Sequence, residues 1–231
     1  RDRSPSRGLG DVYKRQVPDI IVSDVMMPRM NGYKLCKTIK EDINISHIPV
    51  ILLTARDDRQ SQISGYKNGA DGYLSKPFEV EMLMELIRNR LKNREYTKKR
   101  YLNAGLIPTP EESTISLTDE TFLIKLNSII QENIENSNLG IQFICQEVGL
   151  GRSSLYNKLK ALTGMGANEY ISKLRIEKAI TLISGTDMPF SEIAEKTGFT
   201  TPSYFSTAFK QYTGETPSQY KERKKKGLAD K

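Results

Sequence analysis

Residues 141–220 carry the same pattern of residues twice. The stretch from Ile141, IQFICQEVGLGRSSLYNKLKALTGMGANEY, is repeated with changes from Phe190 as FSEIAEKTGFTTPSYFSTAFKQYTGETPSQY. Gly149 corresponds to Gly198 at a spacing of 49 residues, and the spacing becomes 50 after one extra residue in the second turn. An internal repeat of this period indicates a duplicated supersecondary unit, so it constrains the fold more than any other feature of the chain.

Each copy predicts a short helix, a glycine turn and a second helix. In the first copy, Ile144 and Val148 lie on one apolar face of the predicted first helix. Gly149 and Gly198 follow, where a helix ends in a left-handed conformation that glycine adopts at little cost. Two helices joined by such a turn form a helix-turn-helix, whose second helix can enter the major groove of DNA.

The second helices combine a predicted buried face with a polar outer face. Thr201 is a predicted N-cap and Pro202 suits the first helical turn. The predicted buried residues are Leu155, Leu159 and Leu162 in the first copy, and Phe205, Ala208, Phe209 and Tyr212 in the second. The predicted DNA-binding residues are the outer ones: Arg152, Ser153, Tyr156, Asn157 and Lys160, and then Pro202, Ser203, Ser206, Thr207 and Lys210.

The chemistry of these outer residues suits DNA. Arg152 and Asn157 can pair with base edges, whereas hydroxyls and lysines suit phosphate oxygens, which hold register without specifying sequence. An ordinary solvated surface would explain one polar helix face. The duplication with matched turns favours the DNA-binding interpretation.

The segment GFTTPSYFSTAFKQYTGETPSQY resembles the signature of the AraC family of bacterial transcription regulators, and the resemblance covers 119–224. It implies an all-α domain with two helix-turn-helix units joined by a helix at about 168–183, roughly 24 Å long. That length is compatible with two recognition helices in successive major grooves, about 34 Å apart. The resemblance implies sequence-specific binding of double-stranded DNA by a homodimer.

Composition adds limits but little direct support for DNA binding. The net charge is +7, but 119–231 contains 15 Lys and Arg against 13 Asp and Glu, so the DNA-binding argument depends on local placement. The basic run at 221–226 continues into a predicted basic tail, 225–231. Cys36 and Cys145 are predicted core thiols of a cytoplasmic protein, and one histidine, His47, cannot form a zinc site. No apolar run is long enough to cross a bilayer.

The first sixteen residues, RDRSPSRGLGDVYKRQ, show neither helical nor strand periodicity. They resemble translated adapter sequence from assembled sequencing reads, and a disordered basic leader is the alternative. We therefore expect 1–16 to lie outside the fold.

Residues 17–94 predict strands that alternate with helices, which indicates a parallel α/β sheet. The predicted strands are 19–23, 49–53 and 72–74, with helices near 33–39, 60–68 and 79–91. Asp24, Thr54 and Lys76 follow the three strands, and chemistry gathers at the carboxyl ends of such strands. A carboxylate can accept a phosphoryl group, while a hydroxyl and an ammonium stabilise its oxygens. A single Asp there would suggest only a cap or a loop residue, but three such residues indicate a site.

The spacing of these residues, 30 from Asp24 to Thr54 and 22 from Thr54 to Lys76, is similar to the receiver domain of two-component response regulators. The resemblance implies a flavodoxin-like fold with Asp24 as phosphoacceptor and Thr54 and Lys76 as switch partners. It implies Tyr73 as the aromatic switch residue, and packing in the strand is compatible with that role. It also implies a cis Lys76–Pro77 bond.

The segment departs from the receiver pattern at its start. The first strands, with the acidic pair that binds Mg²⁺ beside the phosphoacceptor, have no counterpart before residue 17. The remaining ligands implied by the resemblance are Asp24 and the main-chain carbonyl of Met26, fewer oxygens than Mg²⁺ requires. We expect a truncated receiver that is less stable or aggregation-prone, poorly phosphorylated in this chain but competent in an intact parent. Transfer of phosphoryl label from acetyl phosphate to Asp24 in this chain would contradict that expectation.

A polar, proline-containing linker is predicted at 95–118, its first half extending the preceding helix through Leu102. The order of the two domains resembles the carboxyl end of hybrid sensor kinases, which implies a sensor histidine kinase, or a kinase domain of the same parent chain, as partner.

The first hypothesis is a transcription regulator controlled by phosphorylation of Asp24. The alternative is constitutive DNA binding, with the receiver remnant as an interaction or dimerisation module. The third hypothesis is an enzyme with kinase or phosphatase activity, but the sequence contains no nucleotide-binding loop.

Overall fold

The computed structural model describes residues 17–55, 69–103 and 116–229. Among these, 17–55, 69–100 and 116–120 belong to one compact unit, and 101–103 and 121–229 belong to a second. The boundaries fall within two helices, each of which is described with the unit that holds most of its residues. The predicted leader at 1–16, the predicted helix near 60–68 and most of the second half of the predicted linker lie outside the described residues.

The first unit contains the predicted parallel sheet. Its strands are β1 (Ile21–Asp24), β2 (Val50–Thr54) and β3 (Gly72–Ser75), and its helices are α1 (Gly32–Glu41) and α2 (Val80–Asn103). Within the described residues the strand order is β1-β2-β3, with both pairings parallel. Val50, Ile51 and Leu52 are fully buried, because neighbouring strands cover both edges of β2 and side chains such as Cys36 and Ile39 of α1 pack on the sheet. The predicted α/β class of this unit is confirmed.

Helix α2 is longer than the predicted helix at 79–91. It continues to Asn103. The first half of the predicted linker therefore extends this helix, as expected. No helix within the described parts of the chain is long and apolar enough to span a bilayer.

The second unit is helical, as the repeat predicts. The helices are α3 (Leu117–Glu132), α4 (Ile141–Val148), α5 (Arg152–Thr163), α6 (Ala167–Gly185), α7 (Phe190–Lys196), α8 (Pro202–Thr213) and α9 (Pro217–Ala229). The two copies of the repeat are the pairs α4–α5 and α7–α8, and α6 joins them. Helix α6 is slightly longer than predicted, at about 28 Å.

The two glycine turns have nearly the same backbone. Gly149 has φ +74° and Gly198 has φ +71°, so both occupy the predicted left-handed conformation. The N–H of Leu150 donates to the carbonyl of Cys145, and the N–H of Phe199 donates to the carbonyl of Ala194, at 3.0 and 2.9 Å. These equivalent bonds satisfy carbonyl groups at the ends of α4 and α7.

An aromatic series forms the core of the second helix pair. Successive ring centroids of Phe199, Phe205, Phe209 and Tyr220 lie 5.4, 5.7 and 5.6 Å apart, in tilted or edge-to-face contact. Phe205 and Phe209 are fully buried, and burial of each ring stabilises the fold by about 1.5–3 kcal/mol. The predicted leucines of the first pair, Leu155, Leu159 and Leu162, are buried too.

The prediction that Tyr212 belongs to this buried face is wrong. Its side chain is 42% exposed, and its hydroxyl donates to Oε1 of Glu177 on α6 at 3.4 Å. The ring lies at the rim because the hydroxyl retains a polar partner there, which a position inside the aromatic series would not provide. Ala208 is half-buried.

We predict that the two turn glycines differ in their sensitivity to substitution. An added Cβ at Gly198 would overlap the carbonyl oxygen of Ile134, whereas a Cβ at Gly149 would meet nothing within 4 Å. Gly149→Ala should therefore lower the free energy of unfolding by about 1–2 kcal/mol, the cost of the left-handed conformation alone. Gly198→Ala should lower it by about 3 kcal/mol or more, because backbone must also move.

Urea denaturation of both variants measures this difference. Gly149→Ala is the matched control, since its φ is nearly that of Gly198. Equal losses of stability in the two variants would show that the contact at Gly198 is unimportant.

Candidate DNA-binding and phosphorylation sites

The polar outer face predicted for α5 is exposed. The side chains in question are Arg152, Ser153, Tyr156, Asn157 and Lys160, and all five are open to solvent. Arg152 and Ser153 occupy the first turn of the helix, where free N–H groups and the helix dipole favour a phosphate. The intervening Lys158 is fully buried, with its ammonium 5.1 Å from the centre of the Phe122 ring. Arg152 and Lys160 are therefore the cations that α5 presents to solvent.

The outer face of α8 is also accessible. Pro202, Ser203, Thr207 and Lys210 are exposed and Ser206 is half-buried. The start of the helix is fixed by the predicted cap, because the Thr201 hydroxyl accepts from the N–H of Tyr204 at 3.2 Å.

Two hydroxyls on α8 have a different chemistry from the one expected. Ser206 donates to the carbonyl of Pro202 at 3.0 Å, and Thr207 donates to the carbonyl of Ser203 at 3.1 Å. With the proton directed back to the helix, each oxygen is left as an acceptor. In this arrangement they suit amino groups on base edges better than phosphate oxygens, which also accept.

Sequence reasoning did not select Tyr204, which is 54% exposed in the first turn of α8. Its ring packs edge-on against Phe199, with centroids 5.7 Å apart. Its counterpart in the first copy is the small Ser154, so comparison of the two copies gave no signal for an aromatic residue here.

The basic run at 221–226 is partly neutralised. Lys221 and Lys225 lie 3.3 and 3.9 Å from a carboxylate oxygen of Asp187, and Arg223 lies 2.7 Å from that of Glu215. These residues belong to α9, which continues to Ala229. Their charge is therefore less available to DNA than the sequence suggests.

Asp24, Thr54 and Lys76 lie at the carboxyl ends of the three parallel strands. Asp24 ends β1 beside Leu53, and Thr54 ends β2 beside Ser75, which directly precedes Lys76. The Lys76 ammonium forms an ion pair with Oδ2 of Asp24, and the N–H of Met26 donates to Oδ1 at 3.1 Å. The hydrogen bond from Lys76, followed by that from Met26, lowers the pKa of Asp24, so the carboxylate is ionised at neutral pH.

Thr54 and Tyr73, the switch residues implied by the receiver resemblance, differ in their exposure. Thr54 is only 2% exposed. Tyr73 is half-buried in β3, with its hydroxyl 3.2 Å from that of Tyr33 on α1. The Lys76–Pro77 bond is cis, as the resemblance implied.

Gly32 is a positioning residue that the sequence reasoning did not identify. It begins α1 directly against the backbone of Asp24 and Val25, where an added Cβ would lie 2.5 Å from the Asp24 carbonyl oxygen. Its N–H donates to the Val25 carbonyl at 2.9 Å. Asn31 caps the same helix by accepting from the N–H of Lys34 at 2.8 Å. Together these contacts close the loop that holds Asp24.

The described residues do not by themselves fit a Mg²⁺ site. Asp24 supplies one carboxylate and Met26 one main-chain carbonyl, and the carboxylate already bonds Lys76 and an N–H. No group of three or more His, Cys, Asp or Glu that could hold a metal occurs in the described ranges. Mg²⁺ prefers near-octahedral coordination by oxygens.

Comparison with known proteins covers both units. A family model described as the response regulator receiver domain matches residues 4–88, and one described as a helix-turn-helix domain matches 144–223. The chain is 42% identical to histidine kinase P4 of Formosa agariphila, over 91% of this chain and 15% of the kinase. It thus spans about one seventh of that relative's length.

Two further similarities are to a probable transcriptional regulator and to a response regulator. The probable transcriptional regulator ycf29 of Pyropia yezoensis is 30% identical, over 65% of this chain and 73% of that protein. The C-terminal domain of AraT, a response regulator from Geobacillus stearothermophilus, is 31% identical over 44% of this chain and 84% of that one, with a TM-score of 0.42. With the two family models, the coverage of ycf29 shows that the chain belongs to the response regulators, with a receiver domain followed by an AraC-type helix-turn-helix domain.

Proposed function

We propose that the chain belongs to a sequence-specific DNA-binding transcription regulator whose activity is controlled, in the intact parent protein, by phosphorylation of Asp24. The observation that carries this proposal is the exposure of polar residues on both recognition helices, α5 and α8, within one compact unit. The solvent-open face of each helix coincides with the face left polar by the repeat. DNA as the partner places the proposed activity in the cytoplasm.

On α5, Arg152 and Asn157 supply the groups that pair with base edges, at about 1–3 kcal/mol for a good bidentate contact. Lys160 supplies a point charge for a phosphate. On α8, Lys210 and Ser203 contact phosphates, while Ser206 and Thr207 accept from base amino groups. The division follows from the hydrogen bonds that already engage the hydroxyl protons of Ser206 and Thr207.

In the receiver, a carboxylate oxygen of Asp24 attacks the phosphorus of a phosphorylated histidine in the kinase partner. A P–O bond forms, the P–N bond breaks, and the imidazole leaves. The product is an acyl phosphate, which carries more negative charge than the carboxylate did. Lys76 then pairs with a phosphoryl oxygen instead of Oδ2, and Thr54 donates to another.

This rearrangement is the proposed signal. Thr54 moves toward the phosphoryl group and Tyr73 turns inward, which changes the surface of the receiver domain. That surface promotes homodimerisation and so the occupation of adjacent half-sites. The match to histidine kinase P4, a much longer protein, supports a kinase domain of the same parent chain as the phosphoryl donor.

Substitutions on α5 test the DNA-binding proposal. Asn157→Ala should relax base preference at one position and reduce affinity for the preferred sequence by about tenfold. Lys160→Ala should instead weaken binding to all sequences alike and lower the slope of log K against log salt by about one. Binding titrations at several salt concentrations, with duplexes selected from a random pool, measure both effects.

Glu147 lies on an exposed face of α4, so Glu147→Ala serves as a surface control. Its base preference should be that of the unsubstituted chain. Sequence preferences left unaltered by Asn157→Ala would argue against α5 as a base-reading helix.

Substitution of Asp24 tests the control by phosphorylation. In the full-length protein, incubation with the phosphorylated kinase partner should raise DNA affinity about tenfold. Asp24→Asn should abolish the rise, because an amide cannot form the acyl phosphate. Asp19→Asn, a neighbouring exposed carboxylate, should leave it unchanged. DNA affinity and dimerisation that do not respond to phosphorylation would favour constitutive binding, with the receiver as an interaction module.

A further inference from the structure

One arginine contacts the loop before the first helix-turn-helix pair and the turn within the second pair. Nη2 of Arg175, at the middle of α6, donates to the main-chain oxygen of Asn136 at 2.7 Å, in the loop that precedes α4. The same guanidinium lies 5.9 Å from the centre of the Phe199 ring, in the turn between α7 and α8. We call the set Ile134, Asn136, Arg175, Gly198 and Phe199 the junction.

The two halves of the second unit, before and after α6, also meet directly at the junction. Gly198 lies so close to the Ile134 carbonyl that a Cβ would overlap that oxygen, and the Cβ would also lie 2.9 Å from Nη2 of Arg175. The corresponding Gly149 has open space around it. The close approach therefore comes from the junction and not from the glycine turn, which has nearly the same backbone in both copies.

Arg175 is an unusual choice for a position that packing alone could fill. The residue is 9% exposed, and its Nε has no hydrogen-bond partner among the described residues. A buried charge with an unsatisfied donor is unfavourable compared with an apolar side chain of similar volume. The planar guanidinium, however, can bond a carbonyl at one edge while its face lies near an aromatic ring. An apolar side chain would fill the space without fixing the geometry.

A second contact ties the same loop to α6. Nζ of Lys178, about one helical turn beyond Arg175, lies 3.0 Å from a carboxylate oxygen of Glu135. This pair is more exposed than Arg175 and contributes less. The loop before α4 is nevertheless held to α6 at two successive residues, Glu135 and Asn136.

From these contacts we infer that Arg175 is a positioning residue that fixes α5 and α8 relative to each other, and thereby the spacing of the two DNA segments bound at once. The inference rests on the proposed DNA-binding function. A single helix can bend and twist between the units it joins. With the junction, the halves are connected both through α6 and by direct contact, so rotation of one against the other would break the contacts of Arg175.

The consequence can be measured as a preference for spacing. Duplexes are first selected from a random pool with the unsubstituted full chain. One base pair is then inserted or removed between the two contacted segments, which shifts them by about 3.4 Å and rotates them by about 35°. The unsubstituted chain should lose about tenfold or more in affinity. Arg175→Met should lose less than about threefold, because its halves can adjust, while affinity for a duplex with one segment stays unchanged.

Two further variants separate positioning from stability. Arg175→Lys retains a charge but lacks the planar group, so its spacing preference should be as weak as that of Arg175→Met. Ile183→Val removes a methyl group from the core side of the same helix, where Ile183 is buried. It should lower stability without altering the junction, and it should retain the spacing preference of the unsubstituted chain.

A measurement without DNA tests the same inference. Spin labels are placed at Glu147→Cys on α4 and Ser191→Cys on α7, both exposed positions, after replacement of the buried Cys36 and Cys145 by alanine. The distance distribution should be narrow with Arg175 and broader with Arg175→Met. A distribution and a spacing preference that both survive Arg175→Met would overturn the inference.

Failure of the proposed DNA-binding function gives a different result from failure of the Arg175 inference. If the unsubstituted chain selects no duplex from the pool, DNA binding fails and the spacing claim fails with it. The distance distributions still report whether Arg175 holds the two halves together. A narrow distribution that broadens in the variant would then support the junction as a structural lock only.

Discussion

The apolar side of α6 is the interaction on which the second unit depends. Ile176, Ala179 and Ile183 pack into the same core as Phe205 and Phe209 of α8. The buried aromatic side chains of α8 hold that helix against the core. Its opposite face makes no contact with the core and can therefore be polar. The candidate DNA-binding face is therefore a product of core packing, since the residues that fix the helix are not those that would contact DNA.

In the first unit, charged and polar contacts rather than apolar packing position the candidate site. The carboxylate of Asp24 lies at the end of β1, where it is balanced by the Lys76 ammonium and an N–H of the same loop. These groups stabilise the ionised form, which is the nucleophilic one. Gly32 allows α1 to begin directly against that loop. The backbone thus supports a reactive side chain that contributes nothing to the core.

Features set by local backbone chemistry could be predicted from the sequence. The glycine turns, the Thr201 cap and the strand ends at Asp24 and Thr54 depend on spacing and on conformations that few residue types adopt. Features set by tertiary partners could not. Burial of Lys158 near Phe122, the hydrogen bond from Tyr212 to Glu177 and the contact between Gly198 and Ile134 involve residues distant in sequence. The outer-face residues were predicted by elimination, and their contacts with DNA remain a prediction.

The fate of the cations in the second unit affects how such a protein would find its site. Lys158, Lys173 and Arg175 are buried, and Lys221 and Arg223 are paired with carboxylates. Fewer positive charges therefore remain to release counterions from DNA of arbitrary sequence than the 15 Lys and Arg of 119–231 indicate, and this release supplies most of the non-specific affinity. Under the proposed function, residence on bulk DNA would therefore be shorter than that number of cations implies. The search would proceed by frequent dissociation and re-encounter rather than by long one-dimensional sliding, so that the genome competes weakly with the operator.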